Sequence, residues 1–266
     1  MDKLLMLATD VSTLWGKYSS MYFSGIKNTL LLAIIGTVIG CLIGFVCGIL
    51  QTIPYTKNDH IVKRFIIKLV RVIVRIYVEV FRGTPMMVQA MVIYWGYAFL
   101  NDGLTLDPTP AGIFIVSINT GAYMAEIVRG GILSVDKGQM EGAYSVGMTH
   151  FQAMIHVIIP QVLRNILPSV SNEFVINIKD TSVLNVIGVT ELYYYAGAAY
   201  HMNFKIFETY TIVCVLYFIL TFTVTRLLRL VEKKLNGSEN YTICGSQSDP
   251  EAEIKVHMEA ENGTNY

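Results

Sequence analysis

The chain has 266 residues, of which 53% are hydrophobic and only 15% charged, and its formal net charge is zero. A typical soluble domain carries about 25% charged residues, so this composition argues against an ordinary soluble protein. The zero net charge gives no indication of a nucleic-acid partner. The four cysteines show no CxxC or metal-ligand spacing, so they predict neither a metal site nor a disulfide framework.

The first predicted element is a membrane span at residues 29–50, a run of 22 residues without a charge. About 20 apolar residues cross the ~30 Å hydrocarbon core of a bilayer as a helix. Glycine recurs at every fourth position of this run, at Gly36, Gly40, Gly44 and Gly48. Such a stripe leaves a smooth face, so we expect another helix to approach closely there.

Four further apolar segments predict spans at residues 86–100, 110–125, 160–190 and 206–225. They are less uniform than the first, and the fourth is interrupted by Arg164, Pro168, Glu173, Lys179 and Asp180. The predicted fold is therefore all-α, a polytopic membrane protein with five transmembrane helices.

The placement of lysine and arginine predicts the orientation. The loop between spans 2 and 3 has two aspartates and no base, whereas basic residues follow spans 1, 3 and 5. The loop predicted after span 1 has Lys57, Lys63, Arg64, Lys68, Arg71 and Arg75. By the positive-inside rule the amino terminus lies outside and the carboxyl terminus in the cytoplasm. Residues 1–20 then form an extracytoplasmic or interfacial segment, 21–235 the membrane domain and 236–266 an acidic, disordered cytoplasmic tail.

A cytoplasmic segment at residues 137–161 connects spans 3 and 4. Its apolar and small residues recur at three-and-four spacing: Met140, Ala143, Tyr144, Gly147, Met148, Phe151, Met154, Ile155 and Ile158. This pattern predicts one amphipathic helix, or two short helices that meet at Gly147. A helix lying on lipid headgroups usually carries many basic residues, and this segment has only Lys137, so a helix that docks on a protein partner is favoured.

Glu141-Gly142-Ala143, then Gly147, then Val157-Ile158-Ile159-Pro160 resemble the EAA signature of ABC importer permeases. This chain has Gly142, Val157 and Ile159 where the family pattern has Ala, Ile and Leu. Three longer stretches resemble the polar amino-acid branch of these permeases: EVFRGTPMMVQ (79–89), GAYMAEIVRGGILSVDKGQMEGA (121–143) and PQVLRNILPSVSNEFVINIKDTSVLNVIGVTEL (160–192). The likeness covers residues 20–235.

The resemblance implies an inner-membrane permease subunit of an ATP-driven importer for polar amino acids. Residues 137–161 would be the coupling segment that docks on a cytoplasmic ATPase, with contacts from Glu141, Gly142, Ala143, Gly147, Met148 and Phe151. The other implied partners are a second copy or a related permease and an extracytoplasmic substrate-binding protein. ATP and magnesium would bind the ATPase, so this chain is expected to be no enzyme and to hold no cofactor.

Charged groups inside the spans indicate a polar path or a partner, because burying them in lipid is costly. Glu79 and Arg82, like Glu126 and Arg129, are three residues apart, and each pair fits a structural ion pair as well as a transport role. Arg82-Gly83-Thr84-Pro85 predicts a broken helix, the kind of element that forms substrate sites in other transporters.

The fourth span carries the counterpart Lys179-Asp180-Thr181-Ser182, with Glu173 two turns earlier. We hypothesise that Arg82 holds the carboxylate, and Asp180 the ammonium group, of a passing amino acid. A structural bridge from Lys179 to Glu173 or Asp180 is the alternative.

Two rival functions also fit a polytopic membrane protein. An ion-coupled secondary transporter could use Glu79, Glu126 and Asp180 as ion sites, but it leaves the amphipathic segment without a role. A scaffold that only docks a cytoplasmic protein leaves the intramembrane charges unexplained. The chain has no Gly-x-x-x-x-Gly-Lys-Ser/Thr loop and does not bind ATP by that route.

Overall fold

The computed structural model describes residues 2–56 and 59–236, and every regular element within these ranges is helical. The α-helices are α1 (Asp2–Thr52), α2 (Ile61–Gly83), α3 (Met86–Leu100), α4 (Pro108–Ser134), α5 (Lys137–Ser145), α6 (His150–Ala153), α7 (Ile159–Asp180), α8 (Leu192–Asn203) and α9 (Ile206–Asn236). A π-helical turn, Met154–Ile158, precedes α7, and a 3-10 turn, Thr181–Ile187, follows it. The tail predicted for residues 236–266 lies outside the described residues, apart from Asn236.

Four helical segments among the described residues are long and apolar enough to cross a membrane: Lys3–Thr52, Pro108–Ser134, His150–Ile187 and Ile206–Lys234. The all-α fold is thereby confirmed, and four of the predicted spans coincide with helical segments that are long and apolar enough to cross a membrane. The remaining one, α3, has 15 residues and a length of about 22 Å, too short for the ~30 Å core on its own.

The residues assigned to a loop after span 1 lie on a helix instead. Lys63, Arg64, Lys68, Arg71 and Arg75 all belong to α2, whereas Lys57 is outside the described residues. The apolar side of α2 is exposed at Phe65, Ile66, Leu69, Val72, Ile73, Ile76 and Val80. The charged residues of α2 recur on a different face from the apolar ones, so the helix is amphipathic. This periodicity, and not the number of charges, determines that the segment is helical.

The glycine stripe of α1 packs directly on α4. A Cβ atom added at Gly36 would meet Val116, and the next three glycines face Thr120, Met124 and Val128 in order, all within 3 Å. Because both series ascend together, α1 and α4 run parallel. The expectation of a close helix contact at this stripe is confirmed.

The amino-terminal part of α1 continues without interruption through the predicted boundary at residue 20. Leu14, Tyr18 and Tyr22 form a buried cluster with residues of α8 and α9: Leu192, Ala196, Ala199, Ile212 and Val213. Asp10 also pairs with Lys205, at 2.7 Å between Oδ1 and Nζ. This part of α1 is therefore packed against the carboxyl-terminal third of the chain.

Candidate functional site: a charged cavity, a broken helix and an exposed turn

A charged cavity of about 460 Å³ lies between the end of α1, α2 and α4. Its lining residues are Gln51, Arg71, Arg75, Val78, Glu79, Arg82, Glu126 and Arg129. Three of the predicted path residues, Glu79, Arg82 and Glu126, come together here. Gln51, Arg71 and Arg75 were not predicted as cavity residues. The i, i+4 spacing of Arg71, Arg75 and Glu79 does place these three on one helical face.

The side chains of this cavity are held in different ways. Arg129 donates from Nε to Oε1 of Glu126 at 2.9 Å, so the second predicted pair forms an ion pair. The guanidinium of Arg82 lies over the ring of Tyr123, 5.5 Å from its centroid. Arg71 donates to the carbonyl of Ile53 and lies 4.9 Å from the ring of Tyr55. Four guanidinium groups against two carboxylates leave the cavity with a positive charge.

The break between α2 and α3 comes at Thr84 and Pro85, as the sequence predicts. Gly83 and Thr84 are exposed, and the amide of Gln89 reaches back to the backbone of the turn. Its Nε2 donates to the carbonyls of Phe81 and Thr84, both at 2.8 Å, and its Oε1 accepts from Nδ2 of Asn119 at 2.9 Å. Gln89 and Asn119 were not predicted as site residues, and their one signal in the sequence is an amide within an otherwise apolar run.

A second buried amide links three spans. Asn177 of α7 donates from Nδ2 to the hydroxyls of Thr37, at 2.7 Å, and Thr120, at 3.0 Å. Since Thr37 belongs to α1 and Thr120 to α4, this cluster fixes the three helices at one level. It lies at the glycine stripe of α1, because Thr120 faces Gly40.

The polar residues predicted in span 4 do not line the charged cavity. Lys179 lines a separate groove of about 230 Å³ against α9, together with Phe218, Phe222, Arg226 and Arg229. Asp180 ends α7 and is exposed, whereas Glu173 is buried. Thr181 is buried and donates to the carbonyl of Ile178 at 3.1 Å, and Ser182 is half-buried in the 3-10 turn.

The segment at residues 137–161 contains two short helices, α5 and α6, which are separated at Gly147. Of the two predicted forms, the second is confirmed. Gly147 has a φ of 83°, and the backbone N–H of Met148 donates to the carbonyl of Ala143 at 3.1 Å, so the glycine ends α5. Thr149 then caps α6 in a reciprocal capping box with Gln152.

The turn between α5 and α6 presents apolar side chains to the surroundings. Val146 is 73% and Phe151 72% exposed, and Tyr144 and Ile155 are exposed beside them. Of the six predicted docking residues, Glu141, Gly142, Gly147 and Phe151 are exposed, Met148 is half-buried and Ala143 is buried. The hydroxyl of Tyr144 lies 2.9 Å from Nδ1 of His150, which ties the two helices together.

Residues 61–237 match the model of a protein family described as the binding-protein-dependent transport system inner membrane component. The chain belongs to this family. The permease is 34% identical over 226 residues to the glutamine transport system permease protein GlnP of Escherichia coli K12, with 85% of this chain and 97% of GlnP covered. It is also 36% identical to the L-cystine permease protein TcyB of Bacillus subtilis, with 71% and 85% covered. The arginine permease protein ArtQ of Bacillus subtilis is 31% identical, with 81% and 92% covered.

Solved structures agree with this assignment. The permease matches a chain of an amino acid ABC transporter crystallised with histidines, with a TM-score of 0.72 and 37% identity over 82% of this chain and 95% of the other. A chain of the MetNI methionine ABC transporter has a TM-score of 0.60 at 19% identity, over 80% and 97%, and shows the fold alone. The predicted resemblance is confirmed: the chain is a multi-pass membrane transport subunit of the ABC importer type, and ATPase activity in this family lies on a separate subunit.

Proposed function

We propose that this permease moves a polar amino acid into the cytoplasm, driven by a separate ATPase and supplied by an extracytoplasmic binding protein. The observation that carries the proposal is the charged cavity beside a broken helix in a chain related to glutamine, cystine and arginine permeases. A substrate that carries both a carboxylate and an ammonium group complements a cavity lined by both guanidinium and carboxylate groups.

The broken pair α2–α3 acts as the fifth span. Since α1 and α4 run parallel, the chain between them has to cross the membrane once in the opposite direction. Together α2 and α3 are long enough for this crossing, and the exposed apolar side of α2 suits lipid. With the amino terminus outside, the arginines of the cavity lie towards the cytoplasm, as the positive-inside rule requires. Residues 1–20 would then be extracytoplasmic or interfacial, in the inner membrane that holds the domain at 21–235.

Residues 137–161 couple the permease to the ATPase. The turn between α5 and α6 supports this role, because Val146 and Phe151 expose large apolar surfaces on a segment tied by Tyr144 and His150. Apolar anchors on a short helix are the usual means of docking into a groove of a partner. Glu141, Gly142 and Gly147 are exposed on the same segment and contribute to this contact.

The substrate path runs from the broken helix into the charged cavity. Glu79, Arg82, Gly83 and Thr84 are exposed in the single chain, which suits a path completed by a second copy or a related permease. Asp180 lies on α7 and not on α2. It binds the ammonium end of the substrate while Arg82 binds the carboxylate end. Lys179 and Glu173 are also on α7, where Lys179 lines the separate groove against α9 and Glu173 is buried.

Co-purification from native membranes tests the coupling role. Phe151→Glu places a charge on the proposed docking surface, so the ATPase should be lost from the purified complex. The matched control is Leu104→Glu, which changes an equally exposed side chain in the connection between α3 and α4. If both variants retain the ATPase, the docking surface lies elsewhere. If the wild-type permease carries no ATPase, yet moves amino acids in vesicles along an ion gradient, the importer mechanism is wrong for this chain.

A further inference from the structure

One buried side chain holds the turn that joins α2 to α3. Gln89 is 7% exposed, and its amide nitrogen donates to the carbonyls of Phe81 and Thr84 and to the hydroxyl of Thr84, at 2.8, 2.8 and 2.9 Å. It therefore contacts the chain on both sides of Arg82 and Gly83.

The turn needs such a partner for a physical reason. Pro85 has no backbone N–H, and the last carbonyls of a helix have no N–H donor within the helix. In a membrane no bulk water replaces these bonds, so a side chain has to supply them. The hydroxyl of Thr84 donates to the carbonyl of Val80 at 2.8 Å, and Gln89 donates to the carbonyls of Phe81 and Thr84.

The orientation of Gln89 is set in turn by α4. Asn119 donates from Nδ2 to Oε1 of Gln89 at 2.9 Å and reaches the carbonyl of Phe81 at 3.4 Å. Tyr123, one helical turn after Asn119, carries the guanidinium of Arg82 over its ring. One face of α4 thus contacts both the backbone beside Arg82 and its charged group.

We propose that Gln89 and Asn119 are positioning residues, which fix the guanidinium of Arg82 in the substrate cavity through the α2–α3 turn. The inference rests on the proposed function, since the cavity must be the substrate path. Gln89→Leu removes the donors and frees the turn, so the apparent KM for uptake should rise about tenfold, with a smaller change in the maximal rate.

A double-mutant cycle separates positioning from a purely structural role. Uptake of radiolabelled L-glutamine, L-arginine and L-cystine is measured in proteoliposomes that contain the complex purified with its ATPase and binding protein. If Gln89 acts through Arg82, Gln89→Leu causes no further rise in KM in an Arg82→Gln background. If the two rises in KM multiply instead, the positioning role is wrong while the proposed function stands.

Asn177→Leu is the matched control, because it removes a buried amide of the other cluster, which bonds to Thr37 and Thr120. The rise in KM that it causes should multiply with the rise caused by Arg82→Gln. If Gln89→Leu does not assemble, Asn119→Leu gives a second cycle with the same expected outcome. Absence of uptake of all three amino acids by the wild-type complex overturns the proposed function itself, and this inference with it.

Discussion

Gly44 of α1 lies so close to Met124 of α4 that a Cβ atom at Gly44 would stand 2.2 Å from the Cβ of Met124. Real side chains do not approach to this distance, so the two helices can pack here only because position 44 has no side chain. The contact repeats at each of the four glycines of the stripe. It fixes the position of α4, which carries Glu126, Arg129, Asn119 and Tyr123, and thus one wall of the cavity.

Gly44→Ala should therefore destabilise the permease. Alanine favours an isolated helix by about 1 kcal/mol over glycine, but overpacking at a tight contact costs about 1–3 kcal/mol. The net expectation is a lower thermal unfolding midpoint in detergent. Gly130→Ala is the control in α4, because nothing lies within 4 Å of its added Cβ. A stable Gly44→Ala protein would mean that α1 and α4 separate easily.

The turn at Gly147 requires a glycine, whereas the helix before it does not require one at Gly142. At a φ of 83° any residue with a side chain is strained, so Gly147→Ala should cost about 1–2 kcal/mol and loosen the end of α5. Gly142 is helical and open, and Gly142→Ala should stabilise α5 by up to about 1 kcal/mol. Hydrogen exchange of residues 137–152 measures both effects. Equal protection in the two variants would contradict this account.

The same two variants also test coupling. If a rigid turn transmits closure of the ATPase, ATP hydrolysis stimulated by substrate should fall in Gly147→Ala and stay at least as high in Gly142→Ala. A fall in both variants would mean that the glycine at position 142 is needed for contact with the partner, rather than for the shape of the segment.

The sequence predicted those features that depend on local periodicity. The stripe at Gly36 to Gly48, the helix break at Pro85 and the division of the coupling segment at Gly147 all follow from residue spacing or backbone preference. Each of them is present in the structure.

The remaining features depend on contacts between residues distant in sequence. The pairing of Gln89 with Asn119 joins residues 30 apart, and uncharged amides give no periodic signal. The charges of α2 suggested a loop. Arg71, Arg75 and Glu79 are, however, four residues apart, which places them on one face of a helix that borders the cavity. Only packing decides that Lys179 faces α9 while Arg82 faces α4.

Glu191 predicts a pH dependence of stability. It is fully buried before α8 and accepts hydrogen bonds from the N–H groups of Tyr193 and Tyr194 and from the hydroxyl of Tyr217. Burial raises its pKa, and the three hydrogen bonds oppose that rise without cancelling it. Since the native state binds the proton more tightly, the stabilisation is complete below the unfolded pKa of about 4.3 and is lost as pH rises through the native pKa.

Glu191→Gln, which has no charge to titrate, should flatten this dependence. We expect the unfolding midpoint of the wild type to fall more steeply than that of the variant as the pH rises above the unfolded pKa of about 4.3. Tyr217→Phe removes one hydrogen bond to the carboxylate and keeps the burial, so its slope should be steeper than that of the wild type. Parallel slopes for all three proteins would show that Glu191 keeps one protonation state throughout.

The hypothesis that Arg82 and Asp180 hold the two ends of an amino acid leads to the last prediction. Arg82→Lys keeps the positive charge but loses the planar fork that binds a carboxylate and stacks on Tyr123. Its apparent KM for uptake should rise about tenfold, as expected for the loss of one charge-assisted hydrogen bond. Asp180→Asn should raise KM as well, because an amide holds an ammonium group less strongly than a carboxylate does. If the Arg82→Gln and Asp180→Asn variants both express normally and transport with the wild-type KM, the hypothesis is wrong. Arg82 would then have a structural role in the cavity wall through its contact with Tyr123.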